Sequence, residues 1–332
     1  MATTIKDIAK LAHVSIATVS RILSDRTESH TEETIARVRK AAKELAYQKN
    51  TAAIELVTKK SNVVAVIVSA TPTNFSNQII DGIQKKAAKH HLAVIILYAG
   101  ENNTELQRKA LQTVAERSVM GILLLAINLS PANLKFLTKS TIPFVFLALS
   151  FQDKTIPFIA SDDFQIAYQA TNFLISKGHR KIGLAAADFH ISYTGYRRLA
   201  GYQKAMQEHQ LQLVPDWVQD GNYSYQSGRQ AIQAYMKNTQ VTAVIANSDL
   251  AAMGVANQAL DFGLSIPNDL SIISIDGTDF CTMFRPQLTS MTQSFYEMGS
   301  QGIDCLLNQK LSTAAQRFTA VSIQERESVK NI

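Results

Sequence analysis

The chain has 332 residues, 46% of them hydrophobic, which is enough to bury the cores of about two domains. No apolar run reaches the roughly 18 residues of a membrane span, and two cysteines, Cys281 and Cys305, are too few for a disulfide framework. The charged start, Met1–Asp7, lacks the apolar core of a signal peptide, so we expect a cytoplasmic protein. Residues 1–60 carry a net charge of +4 and the rest only +2, which favours a phosphate-facing N-terminal segment.

Residues 1–47 predict a domain of three short helices. Thr4 and Asp7 form a capping box before a helix whose Ile8, Leu11 and Ala12 share one face. Ser15 is expected to cap a second helix over residues 16–24, and Thr31 a third. The inward positions of these two helices are expected to be Val19, Ile22, Leu23, Ile35, Val38, Ala42 and Leu45. The pattern predicts either a DNA-binding helix-turn-helix or a helical hairpin that packs against another protein.

Residues 48–61 are polar and Lys-rich around a short helix-forming segment, so they predict a linker. Apolar β-branched runs then alternate with helical stretches through residues 62–332. This alternation predicts an α/β fold of about ten strands in two doubly wound lobes with parallel sheets. Ligands bind such sheets at the carboxyl ends of the strands. The expected strands are 63–69, 94–98, 120–126, 144–147, 181–187, 243–246 and 271–275, and the expected helices are 77–90, 103–117, 131–139, 195–209 and 249–262.

The segment Ile5-Lys6-Asp7-Ile8-Ala9-Lys10-Leu11-Ala12-His13-Val14-Ser15-Ile16-Ala17-Thr18-Val19-Ser20-Arg21-Ile22-Leu23 strongly resembles the headpiece of the LacI/GalR family of transcription regulators. The resemblance implies that Ile16 and Ala17 contact thymine methyl groups and that Arg21 contacts guanine in the major groove. Thr4, Ser15, Thr18 and Ser20 are expected to contact the DNA mainly at phosphates. His13 stands where the family usually has Gly, so we expect local backbone strain without loss of the fold.

The segment Tyr47–Leu56 resembles the hinge helix of the same family. The resemblance implies that Asn50, Ala53 and Leu56 contact DNA, with Leu56 as a wedge in the minor groove. Lys49 stands where the family usually has Pro. A helix this short is expected to order only when two copies pair on DNA. The family pattern therefore implies a homodimer on a pseudopalindromic operator.

The resemblance continues through Arg198-Leu199-Ala200-Gly201-Tyr202, Asn247-Ser248-Asp249 and Ile275-Asp276-Gly277-Thr278-Asp279. It implies a periplasmic-binding-protein-like pair of lobes with a small-molecule effector between them. Asp249 is expected to cap a helix rather than touch the ligand, and Ala148 replaces an acid of some sugar-binding members. The expected effector contacts are Ser69, Phe75, Tyr196, Arg198, Tyr223, Ser248, Asp276 and Gln293.

The expected function is a repressor of a carbohydrate-use operon that responds to a sugar or sugar phosphate. Three alternatives stay open: control by a phosphorylated carrier protein, as in catabolite-control regulators; a solute-binding receptor; and, with least support, an enzyme. The sequence has no glycine-rich phosphate loop, no Gly-x-Ser-x-Gly and no Cys/His metal spacing, so no catalytic residue, metal or cofactor is expected.

Overall fold

The computed structural model describes residues 3–24, 26–47, 61–69, 74–101, 103–190, 192–238, 241–308 and 316–332. The chain divides into two compact units, Met1–Lys60 and Ser61–Ile332. None of the described helices is long and apolar enough to cross a membrane.

In its described residues, the first unit contains three helices around a small apolar core. They are α1 (Ile5–Leu11), α2 (Ile16–Ile22) and α3 (Glu32–Glu44). Ile8, Val19 and Val38 are fully buried where the helices meet, and Ile22 lies beside them. Leu11 was expected on this inner face, but it is 41% exposed, and Ala9 is buried instead. The prediction for Leu11 was wrong because α1 ends at this residue and the following turn carries Ala12 into the core.

The predicted caps of the three helices in the first unit are confirmed. The Asp7 carboxylate accepts the backbone N–H of Thr4 at 2.8 Å, and these hydrogen bonds lower the pKa of Asp7. The hydroxyl of Ser15 accepts the N–H of Thr18 at 3.0 Å, and Thr31 caps α3 in the same way. His13 adopts a φ of +53°, so it takes the left-handed conformation that the family glycine would favour.

The second unit consists of two α/β lobes, each with a six-stranded sheet in the described residues. Its elements in chain order are β1 (Val63–Val68), α4 (Ser76–Lys89), β2 (Ala93–Tyr98), α5 (Thr104–Ala115), β3 (Gly121–Leu125), α6 (Pro131–Thr138), β4 (Phe144–Leu147), β5 (Phe158–Ser161), α7 (Asp163–Ser176), β6 (Ile182–Ala187), α8 (Tyr193–Glu208), a 3-10 turn (Pro215–Trp217), β7 (Val218–Asp220), α9 (Tyr225–Asn238), β8 (Ala243–Ala246), α10 (Asp249–Asp261), β9 (Ser271–Asp276), α11 (Phe280–Met283), β10 (Thr289–Gln293), α12 (Phe295–Leu307), β11 (Gln316–Thr319) and β12 (Val321–Gln324).

The strand order is β11-β5-β4-β3-β1-β2 in lobe 1 and β12-β10-β9-β8-β6-β7 in lobe 2. Within the described elements the chain passes between the lobes after β5, after β10 and after β11. Helix α12 therefore packs in lobe 1, although the strand before it belongs to lobe 2. Central strands such as β1 and β3 are buried on both faces, as parallel sheets covered by helices require.

The two-lobed α/β fold is confirmed, and the expected strands and helices are present with small shifts at their ends. One strand pair departs from the parallel pattern, because β12 runs antiparallel to β10. Several elements were not predicted, among them β5, α7, β7, α9 and the last two strands. The edge strands β7, β11 and β12 are short and only partly buried, so they lack the continuous apolar run that marks a central strand.

Candidate functional site

One face of α2 is exposed and carries the residues expected to contact bases. Ile16 is 44% exposed, and Ala17, Ser20 and Arg21 are also exposed. The opposite face of α2 is buried through Val19. The first turn of this helix is therefore accessible to a DNA groove, as a recognition helix requires.

The other predicted DNA contacts occupy the helix caps or lie outside the described residues. Thr4 donates its hydroxyl to Asp7 at 2.7 Å, and the hydroxyls of Ser15 and Thr18 lie 2.9 Å apart. These groups are exposed or half-buried, so capping does not remove them from the surface. The hinge residues expected at the minor groove lie outside the described residues: Asn50, Ala53 and Leu56.

A cavity of about 200 Å³ lies between the two lobes of the second unit. A single water molecule needs roughly 10–15 Å³ of cavity volume, so this cavity has room for a small organic molecule. Its wall is formed largely at the carboxyl ends of strands, where open α/β sheets bind ligands. The lining residues are Ser69, Phe75, Glu101, Ala126, Asn128, Ala148, Leu149, Ser161, Asp163, Asp188, Ser192, Thr194, Arg198, Asn222, Tyr223, Asn247, Asp276, Gln293 and Phe295.

Arg198 is the only lysine or arginine among these lining residues, and it is 5% exposed. Its Nε donates to the Asp163 carboxylate at 2.8 Å and its Nη1 to the Asn247 carbonyl oxygen at 2.9 Å. Burial lowers the pKa of Arg198, but nearby acidic groups, Asp163 first, outweigh this and raise it, so the guanidinium stays charged. Burial raises the pKa of Asp163, and Arg198 only partly offsets the effect. Arg198 is thus held rigidly against the cavity wall.

Asp276 ends β9 and is 5% exposed. Its Oδ1 accepts the side-chain N–H of Gln293 at 2.9 Å. Burial, followed by the charge of Asp249, raises the pKa of Asp276 well above its ordinary value. The raised pKa widens the pH range in which this carboxyl keeps its proton, and in that form it can donate one hydrogen bond and accept others.

Asp249 accepts hydrogen bonds from the backbone of the turn that follows Asp276, and it does not cap α10 as expected. Its carboxylate accepts hydrogen bonds from Ser274 at 2.8 Å, from the Thr278 hydroxyl at 2.7 Å and from the Cys281 thiol at 3.1 Å. The N-cap of α10 is Ser248, one residue earlier. The prediction erred by one residue because both residue types cap helices, and only the fold shows which one precedes the first turn.

Two buried hydroxyls of the wall, those of Thr194 and Tyr223, lack a hydrogen bond of good geometry. Asp163 lies near the Thr194 hydroxyl and Ser192 near the Tyr223 hydroxyl. The Arg198 guanidinium lies 5.8 Å from the centre of the Tyr223 ring. Buried polar groups without well-formed hydrogen bonds are rare and costly. These two hydroxyls, in residues that line the cavity, therefore retain unused hydrogen-bonding capacity.

Four lining residues other than glycine have positive φ: Ala126 (+48°), Ala148 (+62°), Tyr223 (+65°) and Asp276 (+120°). Such conformations cost about 1–3 kcal/mol each and cluster at functional sites. The strand ends that carry them turn sharply at the cavity, which places their backbones and side chains on its wall.

The structure brings six of the eight expected effector contacts into this lining: Ser69, Phe75, Arg198, Tyr223, Asp276 and Gln293. It does not bring in Tyr196, which is 59% exposed and stacks on Tyr193. It also leaves out Ser248, whose hydroxyl donates to the Tyr223 carbonyl oxygen and accepts the N–H of Ala251. We therefore omit Tyr196 and Ser248 from the proposed contacts.

Sequence reasoning missed several lining residues, most notably Asp163, Thr194 and Phe295. A signal for Asp163 existed, because a buried arginine requires an acidic partner. The helix that begins at Asp163 was not predicted, so its first residue was not considered. Phe295 comes from a segment that returns to lobe 1 late in the chain, and no local pattern marks that return.

A helix-turn-helix unit and a two-lobed domain with a cleft, in one chain, are the parts of a ligand-responsive transcription regulator. Residues 4–50 match the family model of bacterial regulatory proteins of the lacI family. Residues 61–325 match the model of periplasmic binding proteins and the sugar binding domain of the LacI family. The chain belongs to the LacI family of bacterial regulatory proteins.

Individual relatives agree with this assignment. The chain is 32% identical over 301 residues to catabolite control protein A of Priestia megaterium, covering 90% of each protein. A transcription regulator from Lactobacillus plantarum is 45% identical, with a TM-score of 0.73 over 82% of this chain and 100% of that one. The Lac repressor dimer bound to operator and the anti-inducer ONPF is 26% identical, with a TM-score of 0.88 over 99% of this chain and 100% of that one. The regulator interpretation therefore holds.

Proposed function

We propose that this chain is a cytoplasmic, homodimeric repressor whose binding to a pseudopalindromic operator is controlled by a small hydroxyl-bearing effector in the lobe cleft. The observation that carries the proposal is the cleft, where buried Arg198 and Asp276 share a wall with the hydroxyl-bearing residues Thr194 and Tyr223. The family model for this region describes a sugar binding domain, which supports an effector of the sugar class. Regulation, rather than catalysis, is the proposed role.

On the DNA side, we propose that Ile16, Ala17 and Arg21 contact base edges and that Thr4, Ser15, Thr18 and Ser20 contact mainly phosphates. Paired hinges, with Asn50, Ala53 and Leu56, would lie at the operator centre. We further propose the domain boundaries 1–47, 48–61 and 62–332. The exposed face of α2 supports the base contacts, because its side chains are not used in the core.

A binding selection tests the proposal. The full chain would be incubated with a library of pseudopalindromic duplexes, and affinity would be measured at several salt concentrations by fluorescence anisotropy. We expect one enriched palindrome with an affinity that falls steeply with salt. A sugar panel is then added to the selected complex, and Asp276→Ala is expected to abolish the effector response. Equal affinity for random and selected DNA, with and without sugars, would remove the proposal.

A second candidate keeps the DNA contacts and changes the signal. The 32% identity to catabolite control protein A favours testing a phosphorylated carrier protein as the co-regulator. A pull-down with the phosphorylated and unphosphorylated carrier separates the two candidates. Retention of only the phosphorylated form, together with no calorimetric response to sugars, would favour the second candidate.

A further inference from the structure

The charged groups that line the cleft are mostly acidic. Glu101, Asp163, Asp188 and Asp276 stand against one basic residue, Arg198, among the lining residues of the described chain. The formal charge of the lining is therefore −3, or −2 when Asp276 is in its acid form. The sequence has no basic residue at 70–73, 102 or 191, the undescribed positions that adjoin lining residues along the chain.

The one positive charge is already balanced within the protein. Arg198 pairs with Asp163 at 2.8 Å, and both side chains are at least nine-tenths buried. Its Nη1 is held by the carbonyl oxygen of Asn247. An anion that approached Arg198 would have to compete with Asp163 and would meet the carboxyl group of Asp276 on the same wall.

Among the described residues, those that line the lobe 1 side of the cleft include no positively charged side chain that could bind an anion. Phe75 stacks on Phe295 with ring centres 4.7 Å apart, and Ala126, Ala148 and Leu149 extend this apolar surface. Transfer of a phosphate group from water to this surface would cost desolvation free energy, and no charged donor on this side of the cleft would offset that cost. An uncharged ring with hydroxyl groups fits better, since one face can pack on Phe75 while its hydroxyls donate to the carboxyls opposite.

We infer that the cleft excludes anions and that its effector is an uncharged, hydroxyl-bearing compound rather than a phosphate ester. This inference rests on the proposed ligand-responsive function for the identity of the effector. The inference that the cleft excludes anions depends only on the charges of the lining residues. The two parts are therefore tested separately.

The first experiment measures the potential of the cleft without any effector. Leu149→Cys places a thiol in the lining, while the native Cys281 and Cys305 are fully buried. Its rate of disulfide formation is measured with a trimethylammonium and a sulfonate methanethiosulfonate reagent. Gln230→Cys, on the exposed side of α9, is the matched control. The ratio of the two rates cancels any difference in thiol reactivity between the sites.

A cleft of negative potential predicts that the cation-to-anion rate ratio at Leu149→Cys exceeds the control ratio by about tenfold or more. The excess should shrink in high salt, because ions screen the potential. An equal ratio at the two sites, or faster reaction with the sulfonate, overturns the inference.

The second experiment compares matched compounds on the full chain by thermal shift: glucose with glucose 6-phosphate, and ribose with ribose 5-phosphate. Where a parent compound binds, its ester should bind at least about tenfold more weakly. Tighter binding of an ester overturns the inference while supporting an effector cleft. If the cysteine probe shows the expected excess but no hydroxyl compound binds, the electrostatic inference stands and the proposed sugar-class effector fails.

Discussion

At the scale of single residues, the effector cleft depends on charges that are buried and held by named partners. Arg198 is fixed by Asp163 and Asn247, and Asp276 is fixed by Gln293. Side chains fixed in this way lose little conformational entropy when a ligand binds, so ordering the site lowers the binding affinity very little. Burial, followed by the charge of Asp249, raises the pKa of Asp276, which makes this carboxyl a sensitive probe of the cleft.

Asp276→Asn should change the pH dependence of stability. Burial keeps the folded carboxyl protonated at pH values where the unfolded chain, with a pKa of about 3.9, has lost the proton. The folded state then binds more protons, so the free energy of unfolding falls as pH rises above about 4, until the folded pKa is passed. The amide of the variant cannot ionise and avoids this loss, so the Tm of the variant should gain on wild type as pH rises. Thermal unfolding without ligand from pH 4 to 8 measures this gain.

The matched control is Asp279→Asn, which removes an exposed carboxyl three residues further along the chain. Its Tm difference from wild type should stay nearly constant over the same pH range. If the Asp276→Asn and wild-type curves run parallel, folding does not raise the pKa of Asp276 and the prediction is wrong.

Arg21→Ala should relax operator choice at one base pair. The side chain is exposed on α2, one turn beyond Ile16, and a bidentate contact to guanine is worth about 1–3 kcal/mol. Affinity for the selected operator and for its single-base variants would be measured by anisotropy. Arg37→Ala, which removes an exposed positive charge from α3, is the control for charge alone. Equal losses on all operators would show that Arg21 contacts only phosphate.

At the scale of secondary-structure elements, the helices of three pairs in the lobes approach each other closely at glycine residues. A Cβ at Gly254 of α10 would overlap the Tyr225 carbonyl oxygen of α9, and a Cβ at Gly228 of α9 would overlap a carbonyl oxygen of α10. The pairs α4–α12 and α7–α8 show the same close approach at Gly299 and Gly201. Close approach lets each helix pair cover its sheet as one layer, and it allows no added methyl group.

Gly254→Ala should therefore destabilise the effector unit by roughly 1–3 kcal/mol through overpacking. The loss should appear even though alanine favours helix formation by about 1 kcal/mol over glycine. Urea unfolding of the full chain, followed by a probe of the effector unit, gives the midpoint and the slope. Gln230→Ala, an exposed change on α9, should stay within about 0.5 kcal/mol of wild type. A Gly254→Ala protein as stable as this control would mean that the two helices can separate freely.

At the scale of the whole molecule, the chain crosses between the lobes after β5, after β10 and after β11. The first two crossings lie within a few residues of the cleft lining, at Ser161 and Asp163 for the first and at Gln293 and Phe295 for the second. A ligand that contacts both walls therefore also contacts segments that must bend when the lobes move. The lobes also touch directly, since the Asn74 side-chain oxygen lies 3.2 Å from the Thr278 hydroxyl.

If the effector controls operator binding, the coupling must be reciprocal. An effector that changes operator affinity by a factor of about 5–150 must have its own affinity changed by the same factor when operator is bound. Calorimetric titration of effector into free and operator-bound protein, with anisotropy titration of operator at saturating effector, gives both factors. Factors that differ beyond error would show that the effector acts at a second site or alters the oligomeric state. The Asp276→Ala protein serves as the control, with both factors near one.

Local sequence was sufficient to predict the helices of the headpiece and the alternation of strands and helices in the lobes. The caps at Thr4, Ser15 and Thr31, and the apolar periods around them, depend on neighbours within about four residues, so they can be inferred from the chain alone. The role of Asp276 in the cleft could also be predicted from the sequence, because this residue stands at the end of a buried strand. Only the tertiary structure showed that Asp163 neutralises Arg198, that Phe295 returns to lobe 1 and that Ser248 is used as a cap. The first two of these facts depend on contacts between residues that are far apart in the chain. The crossings between the lobes bring such residues together, and no local sequence pattern predicts the crossings.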